Sequence, residues 1–498
     1  MPDRQLKQII MIHQYKLNGY NVVVDAASGS VHSVDDVAYD LISSFDERVK
    51  GEAGIYSAAD ILNDKTIRTE IATDIAGRYK EPIDDIQETI DDIASLNKEG
   101  LLWSEDPFEA AADAIKLKQS VLKAICLHVA HGCNMDCEYC FAGKGDYSGK
   151  SGIMSAEVGK KALDYLVEHS GTRKHLEVDF FGGEPLINWE VCKEIVAYGR
   201  ELEKTHNKIF NFTLTTNGVL IDQDVIDFTN REMGNVVLSM DGRRKTHDRM
   251  RKSKTGEGTY DSIMGNFKAL VDARTSEDKE IAEDRRSSEY YMRGTYTAYN
   301  KDFAADVLAM ADLGFRETSI EPVVSDPSAP YALSEDDLPG LYKEYEKLAL
   351  EMLKREEQGE GFNFYHYTVD LTGGPCIYKR VAGCGVSTEY LAVTPSGDLY
   401  PCHQFVGDDE MLVGNIWDGI THPEILSIFE GSNNVYTRDK CKDCWARLYC
   451  AGGCAANNYH SNGDINKVYE FGCRLHRKRI ECALMMEVCR SERDPGGN

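Results

Sequence analysis

Three cysteines form the densest group of metal-ligating side chains in the chain: Cys133, Cys137 and Cys140, in a C-x3-C-x2-C pattern. They follow the apolar run 125–130, whose pattern predicts a buried strand. Three thiolates in a tight loop can hold three irons of a [4Fe–4S] cluster and leave the fourth iron without a protein ligand. The alternative is a three-cysteine zinc site completed by His128 or His131.

A second group of cysteines stands near the C-terminus, where four of them follow the spacing C-x2-C-x5-C-x3-C. The group comprises Cys376, Cys384, Cys402, Cys441, Cys444, Cys450, Cys454 and Cys473. Eight thiolates are what two [4Fe–4S] clusters need, and zinc is the alternative for the C-x2-C element. The other cysteines lie in apolar strand or helix contexts and are predicted to be buried packing residues: Cys126, Cys192, Cys482 and Cys489.

Composition excludes several classes of partner. The 498 residues carry a formal net charge of −27, which disfavours nucleic acid and anionic membrane surfaces. No apolar run approaches the roughly 20 residues that span a bilayer, and the first residues lack the apolar core of a signal peptide. We therefore expect a cytoplasmic protein with no membrane partner. The fifteen cysteines of such a chain are better explained as metal ligands than as disulfides.

The central part of the chain alternates short apolar strands with amphipathic helices. Strands are predicted at 125–130, 176–181, 212–216, 236–240, 290–295 and 319–323, and helices near 155–168, 189–205, 260–272 and 302–313. This alternation predicts an α/β fold of parallel βαβ units. Six such units favour a partial TIM-like barrel, in which the chemistry belongs at the carboxyl ends of the strands.

The ends of the successive predicted strands carry residues suited to one site. Gly182 and Gly183 permit close backbone approach, Glu184 can accept from an amine, and the Arg293 fork suits a carboxylate. Further candidates at the strand ends are Asn217, Ser239 and Asp241. Each residue alone is a weak signal, because Gly-Gly and Asn-Gly are usually plain turns. Their position at one strand end after another is the evidence.

The first hundred residues predict a small winged-helix-like α+β region. Runs 20–25 and 29–34 indicate a hairpin, followed by a helix from Asp35 or Asp36 to about Phe45. A second helix is predicted from Pro82 to Gly100, and a short strand at 101–103. The region holds 10 Lys and Arg against 19 Asp and Glu, which argues against DNA binding. Either the sheet edge takes an extended peptide as an added strand, or the region only packs.

These motifs together resemble those of the radical SAM enzymes: the three-cysteine loop with Tyr139, the Gly-Gly-Glu-Pro run 182–185, and the run 239–242. The C-terminal cysteines with Gly397 match the SPASM pattern, C-x(9–15)-G-x4-C … C-x2-C-x5-C-x3-C … C. Runs 11–36 and 127–131 resemble the SCIFF peptide maturases. The resemblance implies a partial (β/α)6 radical SAM barrel at 111–325. A winged-helix-like leader-binding domain at 1–110, a bridging helical region at 326–372 and a SPASM domain at 373–498 complete the expected organisation.

The resemblance also implies three [4Fe–4S] clusters and S-adenosylmethionine. The barrel cluster is expected on Cys133, Cys137 and Cys140, with Tyr139 against the adenine. Glu184 would accept from the methionine amine. Ser239, Asp241 and Arg293 would contact the ribose or the carboxylate, and Gly182, Gly183 and Asn217 would complete the cofactor site. One auxiliary cluster is implied on Cys441, Cys444, Cys450 and Cys473, and the other on Cys376, Cys384, Cys402 and Cys454.

The activity implied is thioether formation in a ribosomally made precursor peptide with a leader. Reductive cleavage of S-adenosylmethionine generates a 5′-deoxyadenosyl radical, which removes a hydrogen from an acceptor residue such as threonine. A substrate cysteine sulfur then bonds to that carbon, and the auxiliary clusters take up the surplus electron. The electron donor is expected to be a flavodoxin or ferredoxin. The alternatives are another SPASM enzyme, such as a sulfatase maturase, and a non-catalytic iron–sulfur redox protein.

Overall fold

The computed structural model describes residues 11–51, 56–109, 112, 121–276, 289–371 and 376–493. Its strands are β1 Ile12–Leu17, β2 Tyr20–Asp25, β3 Val31–Val34, β4 Ala124–His131, β5 Gly152–Ile153, β6 His175–Gly182, β7 Ile209–Thr216, β8 Met233–Ser239, β9 Glu289–Tyr296, β10 Glu317–Pro322, β11 Asn363–Phe364, β12 Tyr390–Val393, β13 Asp398–Tyr400, β14 Gly414–Asn415 and β15 Gly419–Ile420. Its helices are α1 Asp36–Gly51, α2 Ala58–Asn63, α3 Lys65–Tyr79, α4 Ile83–Lys98, α5 Ala156–His169, α6 Trp189–His206, α7 Gln223–Glu232, α8 Arg244–Met250, α9 Tyr260–Thr275, α10 Phe303–Asp312, α11 Leu338–Glu357, α12 Ile377–Ala382, α13 Pro423–Ser432, α14 Asp439–Lys442, α15 Arg447–Cys450, α16 Ala455–Asn462 and α17 Glu470–Arg493.

The central sheet carries the six predicted strands. Strands β4, β6, β7, β8, β9 and β10 lie side by side in chain order and are all parallel. Along β6, Leu176, Val178 and Phe180 are buried on one face, whereas Asp179 and Phe181 alternate onto the other. One face of the sheet therefore packs against the helices, and the other lines a polar interior that we call the lumen. The predicted α/β architecture is confirmed.

The same sheet continues into the cysteine-rich C-terminal region. Strand β12 pairs in parallel with β4, so that Tyr390 lies opposite Ala124 and Val393 opposite Leu127. Strands β13, β14 and β15 extend this edge in antiparallel fashion. The predicted boundaries at 110 and 372 fall outside the described residues, and the four-domain division stays a prediction. Helix α11 lies where the bridging helix was predicted.

The N-terminal region differs from the prediction in two ways. The hairpin β2–β3 forms, but β1 adds a third antiparallel strand and α2 and α3 add two helices. The strand predicted at 101–103 is wrong. Leu102 and Trp103 are buried, but Trp103 has a φ of +50° and its indole N–H donates to Asp46 Oδ1 at 3.1 Å. The apolar run therefore reflects side-chain burial in a turn and not strand pairing.

The last helix, α17, ties the N-terminal sheet to the barrel. Tyr15 Oη donates to the Glu481 carbonyl at 2.9 Å, and Ser33 Oγ donates to Glu492 Oε1 at 2.7 Å. Tyr15 and Val22 of the small sheet belong to the same apolar core as Leu475 of α17. The N-terminal sheet is thus packed through α17 onto the same apolar core as the central sheet.

Candidate active site

The loop that follows β4 carries the three barrel thiols. Burial raises the pKa of the Cys137 thiol to about 12, Arg251 opposes this, and the neighbouring thiols of Cys133 and Cys140 contribute to the rise. Met135 N–H donates to Cys133 Sγ at 3.4 Å. The three predicted thiols are therefore neighbours at the carboxyl end of the first barrel strand, where sequence reasoning placed them.

The loop is held by backbone contact with a distant segment. Asp136 N–H donates to the Lys252 carbonyl at 2.7 Å, and Glu138 N–H donates to the Met250 carbonyl at 2.9 Å. These two bonds fix the middle of the loop without using any thiol.

Gly182 and Gly183 bring the end of β6 against this loop. A Cβ at position 183 would lie 2.1 Å from the Gly132 carbonyl oxygen, and one at 182 would lie 2.3 Å from the Ala130 oxygen. Gly182 also has a φ of +127°. The amides of Gly183 and Glu184 donate to Ala130 and Gly132 at 2.8 and 3.0 Å. Only glycine permits this approach, so both residues shape the site whatever it binds.

Glu184 is buried beside the loop with a carboxylate that is mostly satisfied within the chain. Its Oε1 accepts from Thr216 Oγ1 at 2.8 Å and from Leu186 N–H at 3.1 Å, and its Oε2 accepts from Asn217 N–H at 2.8 Å. Burial raises the pKa of Glu184 to about 7, against the lowering effect of these bonds. A carboxylate has about four acceptor positions, so one position on Oε2 is left for a further donor.

Asn217 connects the end of β7 to the cysteine loop. Its side-chain amide donates to Asn134 Oδ1 at 2.7 Å and approaches Cys133 Sγ at 3.6 Å. Asn217 is therefore brought to the predicted site, in contact with the loop itself.

Tyr139 and Asp241 form a buried group with Arg251, a residue that sequence reasoning missed. Tyr139 Oη donates to Asp241 Oδ2 at 2.6 Å, and Arg251 Nε donates to Asp241 Oδ1 at 3.0 Å. Burial raises the pKa of Tyr139 well above its usual value. Asp241 itself has no exposed surface, so its role within the chain is to accept the hydrogen bond that holds Tyr139 in place. Arg251 lies in a basic run, which gave no sign of a buried role.

Ser239 and Arg293 lie opposite each other on β8 and β9, and Ser319 of β10 is the next residue across. Arg293 is exposed to the lumen, and within the described part of the chain its side chain has no hydrogen-bond or ion-pair partner. The register therefore places the guanidinium of Arg293, which is unpaired among the described residues, between the hydroxyls of Ser239 and Ser319, near the carboxyl ends of the strands.

The C-terminal thiols separate into two groups. Burial raises the pKa of Cys450 to about 12, and the neighbouring thiols of Cys473, Cys441 and Cys444 add to the rise. Burial likewise raises the pKa of Cys402, with smaller contributions from the Cys454 and Cys384 thiols. Seven of the eight predicted ligands thus fall into the two expected neighbourhoods.

Cys376 lies directly before α12 and is exposed, as Cys384 and Cys454 also are. Its predicted pairing with Cys384, Cys402 and Cys454 stays a prediction.

The four cysteines predicted to be packing residues are buried as expected. Among the described residues, no three His, Cys, Asp or Glu side chains converge as ligands of one metal ion do. A [4Fe–4S] cluster is ligated at separate irons, so its thiols need not converge on one point.

Comparison with known proteins identifies the class of this site. Residues 127–277, which include the cysteine loop and strands β6 to β8, match the model of the Radical SAM superfamily. This part of the chain is thus a radical SAM domain, the class whose cofactors are a [4Fe–4S] cluster and S-adenosylmethionine.

Individual relatives place it more closely. It is 22% identical over 388 residues, 74% of this chain and 75% of the other, to the radical SAM cyclopropyl synthase TigE of Paramaledivibacter caminithermalis. It is 25% identical over 71% of its length to a cysteine-type anaerobic sulfatase-maturating enzyme of Clostridium perfringens, covering 94% of that protein. Over about seven tenths of its length this chain is thus similar to radical SAM maturases.

A solved structure has the same fold. Native anSMEcpe with bound AdoMet and Cp18Cys peptide superposes with a TM-score of 0.58 at 21% identity, covering 75% of this chain and 99% of that chain. In the described part of this chain, we find no helix both long and apolar enough to cross a bilayer.

Proposed function

We propose that this enzyme forms thioether cross-links in a ribosomally made, cysteine-rich precursor peptide. The observation that carries the proposal is the separation of the thiols into a three-cysteine group in the barrel and two groups beside it. Joining a sulfur to a carbon removes two hydrogens, so the reaction needs both a hydrogen-abstracting centre and a place for surplus electrons. One open cluster on the barrel thiols and two auxiliary clusters on the other thiols would supply these two functions.

The residues of the barrel fit the cofactor. S-adenosylmethionine, bound to the open iron of a cluster on Cys133, Cys137 and Cys140, would supply the 5′-deoxyadenosyl radical. The free position on Glu184 Oε2 suits the methionine amine, and the Arg293 fork suits the carboxylate. Asp241 and Arg251 hold Tyr139 in place for the adenine, and Ser239 lies beside Arg293 for the ribose or carboxylate. The close approach at Gly182 and Gly183 leaves no room for a side chain at either position, so the backbone of β6 lies directly against the cysteine loop.

The auxiliary clusters are assigned by the same grouping. We assign Cys441, Cys444, Cys450 and Cys473 to one cluster, and Cys384, Cys402 and Cys454 with Cys376 to the other. Buried Arg438 lies near the first set. Burial lowers the pKa of Arg438, and the negative charges of the neighbouring cysteines oppose that decrease. A small reductant such as flavodoxin or ferredoxin would deliver the electron that starts the reaction.

The N-terminal sheet is the proposed leader site. Asp25 N–H donates to the Ser30 carbonyl at 3.0 Å, and antiparallel pairs alternate between bonded and non-bonded positions. The backbone groups of Val31 and Ser33 on β3 therefore point away from β2, toward the sheet edge. An extended peptide can add there as a further strand.

The leader site is tested by two substitutions at one position. Ser33→Pro removes the outward N–H, whereas Ser33→Ala keeps it and loses only the bond to Glu492. We expect weaker binding of a labelled leader peptide to Ser33→Pro alone. Unchanged binding to Ser33→Pro would locate the leader elsewhere, and equal weakening in both variants would attribute the loss to the bond with Glu492 and not to the outward N–H.

The activity is tested by mass spectrometry of a co-expressed cysteine-rich peptide. We expect loss of two hydrogens for each link, blocked thiols equal in number to the links, and no change with a Cys133→Ala enzyme. An unmodified peptide would contradict the proposal.

A second candidate is sulfatase maturation, because the Clostridium perfringens relative is covered over 94% of its length. It predicts instead modification of a sulfatase-derived peptide without formation of a thioether link. Running both peptides with the same enzyme preparation separates the two activities.

A further inference from the structure

Glu321 of β10 faces the same lumen as Arg293. Arg293 lies opposite Ser319 on the neighbouring strand, and Glu321 is two positions beyond Ser319, on the same face. The Arg293 charge is near enough to help lower the pKa of Glu321. Because the two parallel strands are neighbours and both side chains lie on the same face, these two long side chains are within reach of each other. The Glu321 carboxylate thus lies beside the Arg293 guanidinium, which the proposed function assigns to binding of S-adenosylmethionine.

Glu321 is nevertheless held by a different arginine. Arg479, from α17, donates through Nη2 to Glu321 Oε2 at 3.0 Å, and His366 Nε2 lies 3.4 Å from Oε1. Arg479 is only 4% exposed and is fixed by Tyr345, whose Oη accepts from Arg479 Nε at 2.8 Å. Tyr345 is fixed in turn by Tyr296, with the two hydroxyls 2.9 Å apart. The C-terminal helix therefore holds a buried cation against the carboxylate that β10 presents to the lumen.

We infer that Arg479 is a positioning residue that engages Glu321 so that the Arg293 guanidinium stays free for the carboxylate of S-adenosylmethionine. The inference rests on the proposed role of Arg293. A guanidinium paired with Glu321 would have to give up that pair before binding another carboxylate, which weakens binding. Arg479 lies outside residues 127–277, so the cofactor site of this chain is completed by its C-terminal helix.

The test is S-adenosylmethionine affinity, measured by equilibrium binding to reconstituted enzyme kept oxidised so that no cleavage occurs. Arg479→Gln should weaken binding about tenfold, and adding Glu321→Gln should restore it to within about threefold of the native enzyme. The matched control is Arg490→Gln, which replaces another arginine of α17 and breaks its ion pair with Glu356 of α11, and it should leave the affinity unchanged. Iron content and melting temperature accompany each variant.

Arg479→Gln leaves a buried carboxylate without its partner and is expected to be destabilised. If it does not fold, Glu321→Gln is compared with the double variant, since both lack the carboxylate. The inference then requires equal affinities in these two proteins. Unchanged affinity in folded Arg479→Gln, no restoration by Glu321→Gln, or unequal affinities in the second comparison would each overturn it.

Arg293→Gln separates this inference from the proposed function. If Arg293→Gln binds S-adenosylmethionine as tightly as the native enzyme, the assigned role of Arg293 fails and Arg479 has no such task. If Arg293→Gln weakens binding while Arg479→Gln does not, only the role of Arg479 fails.

Discussion

Replacing Gly183 with alanine tests whether the close approach of β6 to the cysteine loop is needed for the barrel cluster. The new Cβ would lie 2.1 Å from the Gly132 carbonyl oxygen and 2.5 Å from its carbonyl carbon, both backbone atoms that no rotamer change can move. Contacts below 3.0 Å force a shift of the structure. Gly132 directly precedes Cys133, so the first thiol must move with it.

The cost of such overpacking is about 1–3 kcal/mol. We expect Gly183→Ala to lower the melting temperature, to bind less iron after reconstitution and to form at least about tenfold less 5′-deoxyadenosine. Gly265→Ala in α9 is the matched control, because a Cβ there meets no atom within 4 Å. Alanine in a helix interior should stabilise the control by about 0.5–1 kcal/mol.

The assay is iron and sulfide content together with 5′-deoxyadenosine yield under reducing conditions, for both variants and the native enzyme. Normal iron and normal yield in Gly183→Ala would refute the reasoning. That result would show that the loop accommodates the extra methyl group without displacing its thiols.

Three further predictions concern the barrel cysteines, Cys376, and Asp179 of β6. Replacing all three barrel thiols with alanine should abolish 5′-deoxyadenosine formation while auxiliary iron remains, and persisting cleavage would contradict the assignment. Cys376→Ala should keep more auxiliary iron than Cys384→Ala and still cleave S-adenosylmethionine, because Cys376 lies outside the SPASM pattern, which begins at Cys384, and an outside thiolate or water can replace it; equal loss of iron would make Cys376 a permanent structural ligand. Burial raises the pKa of Asp179 from 3.8 to about 7. The native state therefore binds a proton more tightly than the unfolded state, and stability falls as pH rises from about 4 to 7, by on the order of 4 kcal/mol. Asp179→Asn should flatten the melting temperature across this range, and an unchanged profile would show that Asp179 does not titrate there.

The sequence by itself determined the class of enzyme and the parallel sheet. Cluster ligands on one short loop are recognisable because their spacing along the chain sets their spacing in space, as at Cys133, Cys137 and Cys140. The six strands and their helices were predictable because each carries its own apolar periodicity. Gly183 and Glu184 were found because they directly follow a strand whose carboxyl end must face the site.

Only the tertiary structure decided which distant residues complete the site. Arg251 supports Tyr139 through Asp241, and Arg479 reaches Glu321 from a helix near the C-terminus. The pairing of β12 with β4 likewise joins segments more than 250 residues apart. No local pattern encodes such contacts, because an arginine that will be buried against a distant carboxylate has the same sequence context as a solvated one. The strand expected at 101–103 failed for the same reason, since Trp103 is buried by a partner 57 residues away and not by strand pairing.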